Sequence, residues 1–142
     1  MVKIIKNTII NASVDKVFNY VSNPKNMLEW HPNITKIRNV TGKSENLQWA
    51  WDYKMMGINF TGKAQVVASI ICTELRVENT GEIESNWTFG FRPEAGGTRL
   101  DFEVDYTIPT PVLNSVSESI VMRRNERVTE MALANIKERM EG

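Results

Sequence analysis

Few residues in this chain combine a reactive type with surroundings that would let it act. His31, the only histidine, lies between Trp30 and Pro32. An imidazole titrates near neutrality, which makes it a candidate general acid or base. No serine or cysteine nucleophile and no orienting aspartate can be tied to it by spacing, and a loop histidine closing a short helix is the simpler reading. Tyr53 and Tyr106 are the other catalytic candidates, since each hydroxyl could shuttle a proton or orient a ligand; their plainer role is a buried ring with a hydrogen-bonded hydroxyl. Arg124 falls among apolar residues of a helical pattern, between Ile120 and Val128. A guanidinium there must either snorkel to solvent, the favoured reading, or hold an anionic group such as a carboxylate. Ser117 and Asn135 share that helix face, and Ser85 shares the parity of the two tyrosines. Cys72 sits among apolar residues and reads as an inert buried thiol. One cysteine and one histidine exclude a disulfide framework and the usual multi-His or Cys/His zinc sites, though not a carboxylate-only one. No metal and no cofactor are expected.

These residues must be positioned by two kinds of element. Of twelve aromatic residues, nine lie between Trp49 and Tyr106 and none follows. From Leu47 the pattern alternates: Leu47, Trp49, Trp51, Tyr53 and Met55 share one face, and Gln48, Ala50, Asp52 and Lys54 the other. The same period runs through Ile58 to Val66, Leu75 and Val77, Ile83 to Phe91, and Leu100 to Ile108, predicting half-buried antiparallel strands. Gly57, Gly81 and Gly96-Gly97 supply turns, while the link from Val66 to Thr73 has neither Gly nor Pro. Ile4 to Ile10 is an opening strand without cleanly separated faces. Ser13 caps a short helix ending at Asn23-Pro24, a second runs toward Trp30, and Pro32 forces His31 into extended backbone. A strand follows from Ile34 to Val40. After Pro109-Thr110-Pro111 nothing interrupts the chain to Met140, which predicts one amphipathic helix of about 45 Å with Leu113, Val116, Ile120, Val121, Val128, Met131 and Ala132 near one stripe.

The 142 residues fit one domain, 1–142, without linker or repeat. Seventeen basic and seventeen acidic side chains cancel, which argues against nucleic acid as a partner. No apolar run approaches the roughly 20 residues of a membrane span, and the start lacks an export signal, so the cytoplasm is the expected compartment. Seven strands at 4.8 Å spacing make a sheet about 33 Å across, whereas one helix is about 10–12 Å wide. The sheet must therefore curl around the helix, or be covered by the short helices or a second copy of the chain. Aromatics either fill the enclosed space or line a small-molecule pocket.

The segment Ser13-Val14-Asp15-Lys16-Val17-Phe18-Asn19-Tyr20-Val21-Ser22-Asn23-Pro24, with Trp30 and Pro32, and the later Gly96-Gly97-Thr98-Arg99-Leu100 before a strand, Pro109 and a long helix, resemble the START/Bet v 1-like (SRPBCC) superfamily, in particular its polyketide cyclase/dehydrase-like branch. The resemblance spans essentially the whole chain. It implies an α+β helix-grip fold: a curved antiparallel sheet of about seven strands around the C-terminal helix, with two short helices after the first strand. It also implies a cavity for lipids, sterols, polyketides or other apolar molecules, and carries over no catalytic residue. The expected lining is Trp49, Trp51, Tyr53, Phe60, Ser85, Trp87, Phe89, Phe102 and Tyr106 from the sheet and Ser117, Ile120, Arg124 and Val128 from the helix. The expected function is binding of a hydrophobic small molecule or lipid. The alternatives are a cyclase or dehydratase using the same cavity, and an interaction module or homodimer.

Overall fold

Alternation of apolar and polar residues builds seven strands in the computed structural model, which describes residues 1–142. They are β1 (Val2–Ile10), β2 (Ile34–Thr41), β3 (Gln48–Met55), β4 (Ile58–Ile70), β5 (Glu74–Gly81), β6 (Ser85–Glu94) and β7 (Gly97–Tyr106). All pair antiparallel in one open sheet of order β1-β7-β6-β5-β4-β3-β2. Met56-Gly57 and Ala95-Gly96 close two of the hairpins with positive φ at both turn residues, the twist that two-residue hairpins favour. The link without Gly or Pro is a turn at Ile71–Thr73, with Cys72 at φ 57°. Cys72 is half-exposed there, so the expectation of a buried thiol does not hold. Val67 bulges out of β4, between the pairs Val66↔Val77 and Ala68↔Arg76, and this slip ends the clean alternation.

The mixed pattern of β1 has a specific cause. Ile4 and Ile10 point inward with Lys6 and Thr8 between them, while Ile5 stays 62% exposed on the outer face. Lys6 is accommodated because the C-terminal helix brings Glu126 and Glu130 to its Nζ, at 2.8 and 3.0 Å.

Helix α1 (Val14–Ser22) buries Val17, Phe18 and Val21, and the Phe18 ring meets Phe91 edge-on at 5.0 Å. Asn23 ends it, Pro24 opens a 3-10 turn, and α2 (Met27–Trp30) follows. His31 caps α2 in extended conformation, as Pro32 requires.

The C-terminal segment departs from the single helix expected. Thr110–Leu113 form a short α3, and α4 begins only at Glu118 and runs to Glu141, about 36 Å. Between them Ser115 Oγ bonds back to the Pro111 carbonyl at 3.2 Å and Ser117 takes an extended N-cap conformation. Polar side chains that compete for backbone groups break a helix without Gly or Pro. The buried stripe of α4 is Val121, Asn125, Val128, Thr129, Ala132, Leu133, Ile136 and Met140, which includes the expected Val121, Val128 and Ala132. Leu113, Ile120 and Met131, expected on the stripe, are exposed. Helix α4 lies along β1 and against α1 and α2. It is tied there by Lys137 Nζ to the Ile9 carbonyl (2.6 Å), Glu141 accepting from the Asn11 N–H (2.8 Å) and Lys16 Nζ to the Met140 carbonyl (3.0 Å). These contacts also cover part of the free edge of β1.

Candidate functional site

The sheet's inner face grades from fully packed to partly open along its strands. At one end Phe89 stacks on Phe102 at 4.2 Å, with Trp30 edge-on to Phe89 at 6.0 Å, and nothing enters. Two residues further along is the row Val77–Trp87–Val104, and two beyond that Asn79–Ser85–Tyr106, each in register across β5, β6 and β7. Around this second end, under the first turns of α4, lies a hollow of about 60 Å³. Its wall is Ile4, Met27, His31, Ile34, Trp49, Trp51, Tyr53, Met55, Asn79, Ile83, Ser85, Trp87, Phe102, Val104, Tyr106, Asn125 and Thr129. The volume is small beside the ~150 Å³ of a cavity that holds benzene, so most of the space between sheet and helix is filled by aromatic rings.

The structure brings seven of the expected sheet residues to this wall: Trp49, Trp51, Tyr53, Ser85, Trp87, Phe102 and Tyr106. Phe60 and Phe89 are buried but stand outside it, Phe89 because its faces are taken by Phe102 and Trp30. None of the four helix residues reaches it. Ser117 is the N-cap of α4, Ile120 is 48% exposed, Arg124 is solvent-facing, and Val128 is buried one step around the helix from the wall. Within α4 the buried stripe runs through Val121, Asn125, Val128 and Ala132, so Asn125 faces in and Arg124, the position before it, faces solvent. Asn135 serves the scaffold, donating to the Trp30 carbonyl at 3.1 Å.

Asn125 and Thr129 therefore take the place that Arg124 was considered for. Asn125 Nδ2 donates to Tyr106 Oη at 3.0 Å and lies 3.7 Å from Met55 Sδ. Thr129 Oγ1 donates to the Asn125 carbonyl at 2.9 Å. The sequence signal was faint: two polar residues spaced i, i+4 between Val121 and Ala132, hidden by charged residues on either side of Asn125. Asn79, likewise unassigned from sequence, donates from Nδ2 to Ser85 Oγ at 3.1 Å.

His31 is enclosed by rings. It stacks on Trp87 at 5.5 Å and 7°, and meets Tyr53 at 5.2 Å and Trp30 at 5.8 Å. Its Nδ1 accepts from the Asn33 N–H at 3.2 Å, so in the neutral ring the proton resides on Nε2. Burial alone pulls its pKa from 6.5 down to about 3, holding the imidazole neutral. Burial also raises the Tyr53 and Tyr106 hydroxyls above the usual phenol value, opposed by hydrogen bonds from Asn33 and Asn125 respectively. With no Lys, Arg, Asp or Glu in the wall, the hollow carries no charge at neutral pH.

Comparisons with known proteins agree with this architecture. A probable glucan endo-1,3-beta-glucosidase of Arthroderma benhamiae is 28% identical over 87 residues, covering 54% of this chain and 10% of that protein, so the chain spans only about a tenth of that relative. A crystal structure from Thermus thermophilus superposes with TM-score 0.84 at 16% identity, covering 98% of this chain and 97% of the other. A START superfamily protein from Mycobacterium smegmatis gives 0.80 at 15%, covering 97% and 96%. The di-domain ARO/CYC protein StfQ of the steffimycin biosynthetic pathway gives 0.76 at 14%, covering 98% of this chain and 50% of that one. At these identities the likeness is one of fold, the helix-grip arrangement of sheet and terminal helix. The family described as polyketide cyclase/dehydrase and lipid transport matches residues 1–141, and the chain belongs to that family.

Proposed function

We propose that the protein binds a small, largely apolar molecule in the hollow between β3, β5–β7 and α4. The observation that carries this reading is the wall itself: aromatic and aliphatic side chains, an uncharged histidine, and a few polar atoms around one hollow. Family membership and the START and ARO/CYC neighbours support the same class of ligand. Affinity would come from apolar burial, about 25 cal/mol per Å², with polar contacts setting orientation.

A cyclase or dehydratase role draws less support from the wall's chemistry. A general acid or base works best with a pKa near the working pH. His31 is displaced downward and both tyrosines upward, away from that range.

Native mass spectrometry of protein purified from its own host tests the binding reading. An apolar molecule of defined mass should travel with the folded protein and be released on denaturation. Protein free of any such molecule, and without thermal stabilisation by a panel of apolar compounds, would contradict it.

A further inference from the structure

The polar groups of the hollow differ in whether the protein satisfies them. Asn79 is paired with Ser85, Thr129 with the Asn125 backbone, and Asn125 Nδ2 with Tyr106. Two atoms in the wall have no partner although both are buried: Trp51 Nε1 and Asn125 Oδ1. Leaving a buried polar atom unmet is unfavourable, and folded proteins contain few such atoms. A fully buried donor and acceptor left over in one hollow, with the His31 Nε2–H a further wall donor that has no protein acceptor, describe the complement of something that both accepts and donates.

Their identities are fixed by their neighbours. An indole N–H donates only. The amide of Asn125 has its nitrogen turned to Tyr106 Oη and Met55 Sδ, which leaves the oxygen facing the unpaired side. A carboxylate could accept from Trp51 but would bring negative charge against Asn125 Oδ1, with no cation in the wall to offset its desolvation. A hydrocarbon would leave both atoms unmet. The narrow space is bordered by Met27 and Met55, whose flexible thioethers can change rotamer around a ring-sized guest.

We infer that the ligand is an uncharged molecule whose polar part both donates and accepts hydrogen bonds, a hydroxyl compound of phenol or alcohol type, accepting from Trp51 Nε1–H and donating to Asn125 Oδ1. This rests on the proposed binding reading and narrows it to a chemical class.

Phenol, toluene and benzoate, close in shape and different in polarity, separate the alternatives at pH 7. The probe is the set of four tryptophan indole N–H resonances of the ¹⁵N-labelled protein, with that of Trp51 assigned by its loss in Trp51→Phe. Phenol should shift the Trp51 resonance and bind at least ten-fold more tightly than toluene, and benzoate should not bind. Asn125→Leu, and independently Trp51→Phe, should reduce the preference for phenol over toluene to under three-fold while toluene still binds. Equal affinity for phenol and toluene in the unmodified protein, the result if a bridging water satisfies both atoms, would overturn the hydroxyl inference and leave the apolar pocket standing. Tighter binding of benzoate would overturn it as well. Failure of all three compounds to bind a protein whose spectrum shows it folded would overturn both readings.

Discussion

His31 occupies a place where a protonated imidazole has nothing to meet. Trp87, Tyr53 and Trp30 enclose the ring and the Asn33 N–H occupies Nδ1, so no acidic group faces it. The stability consequence follows from the direction of the shift. Above pH 6.5 the ring is neutral in both the folded and unfolded chain, and its burial is unopposed. Between 6.5 and about 3 the unfolded chain takes up a proton that the folded one refuses, so this contribution declines as pH falls through that window. At about 1.4 kcal/mol per unit, the loss at pH 4 is about 3 kcal/mol. Urea denaturation at pH 7 and pH 4 should show wild type losing about that much more than His31→Phe, which keeps a ring on Trp87 and does not titrate. Identical pH dependence in the two proteins would show that His31 is not held neutral. The sequence offers His31 both as an acid–base candidate and, more simply, as a loop histidine closing a short helix, and it does close α2. What the sequence does not show is that Pro32 and the aromatic strands make the ring part of a neutral wall.

At the scale of elements, the strands were legible because their alternation is enforced by one wet and one dry face. The run Leu47 to Met55 lies where its pattern placed it, and so do β6 and β7. The long terminal helix was legible as an element, with Val121, Val128 and Ala132 inward, but its break before Ser117 and the inward Asn125 were not, because its seating is set by contacts distant in sequence: Lys6 with Glu126 and Glu130, Lys137 with the Ile9 carbonyl, Asn11 with Glu141. A wheel drawn through Ile120 and Arg124 contains none of those ties, nor the break before Ser117. A glycine shows a related dependence. Gly62 pairs with Gly81 across β4 and β5, and a Cβ on it would overlap the Trp51 ring and the Thr80 carbonyl. Gly62→Ala should therefore force Trp51 or β5 to shift and destabilise by about 1–3 kcal/mol, the usual range for overpacking. Gly96 sits in the β6–β7 turn at φ 80°, where an added Cβ would meet nothing within 4 Å. Gly96→Asn, which tolerates that backbone, should lose less than about 1 kcal/mol. Denaturation curves for the two variants check the contrast, and equal losses would show that the Trp51 contact does not limit the site.

At the scale of the whole molecule, charge is balanced overall and missing from the hollow, while the ion pairs stand on the surface, those of Lys6 with Glu126 and Glu130 holding α4 to β1. This division separates what closes the fold from what meets a ligand. Salt should loosen surface pairs such as Lys6–Glu126 and leave affinity for a neutral ligand nearly unchanged. The hollow also holds two of the four buried side-chain polar atoms left unmet, Trp51 Nε1 and Asn125 Oδ1, the others being Ser22 Oγ and Trp30 Nε1. Replacing both members of the buried pair, Asn125→Leu with Tyr106→Phe, removes the Asn125 amide and its hydrogen-bonded hydroxyl together. Such paired apolar exchanges are close to neutral or stabilising. Without ligand the double variant should unfold within about 1 kcal/mol of wild type, or at higher denaturant. With a hydroxyl ligand at a hundred times its Kd, wild type should gain about 2.7 kcal/mol and roughly 5–10 °C in Tm, and the double variant distinctly less. Thermal unfolding of both proteins with and without phenol decides it. A double variant that is strongly destabilised alone would make Asn125 and Tyr106 structural residues; one equally stable but less responsive to ligand would show that the molecule keeps a polar helix position, against its own stability, for the sake of binding.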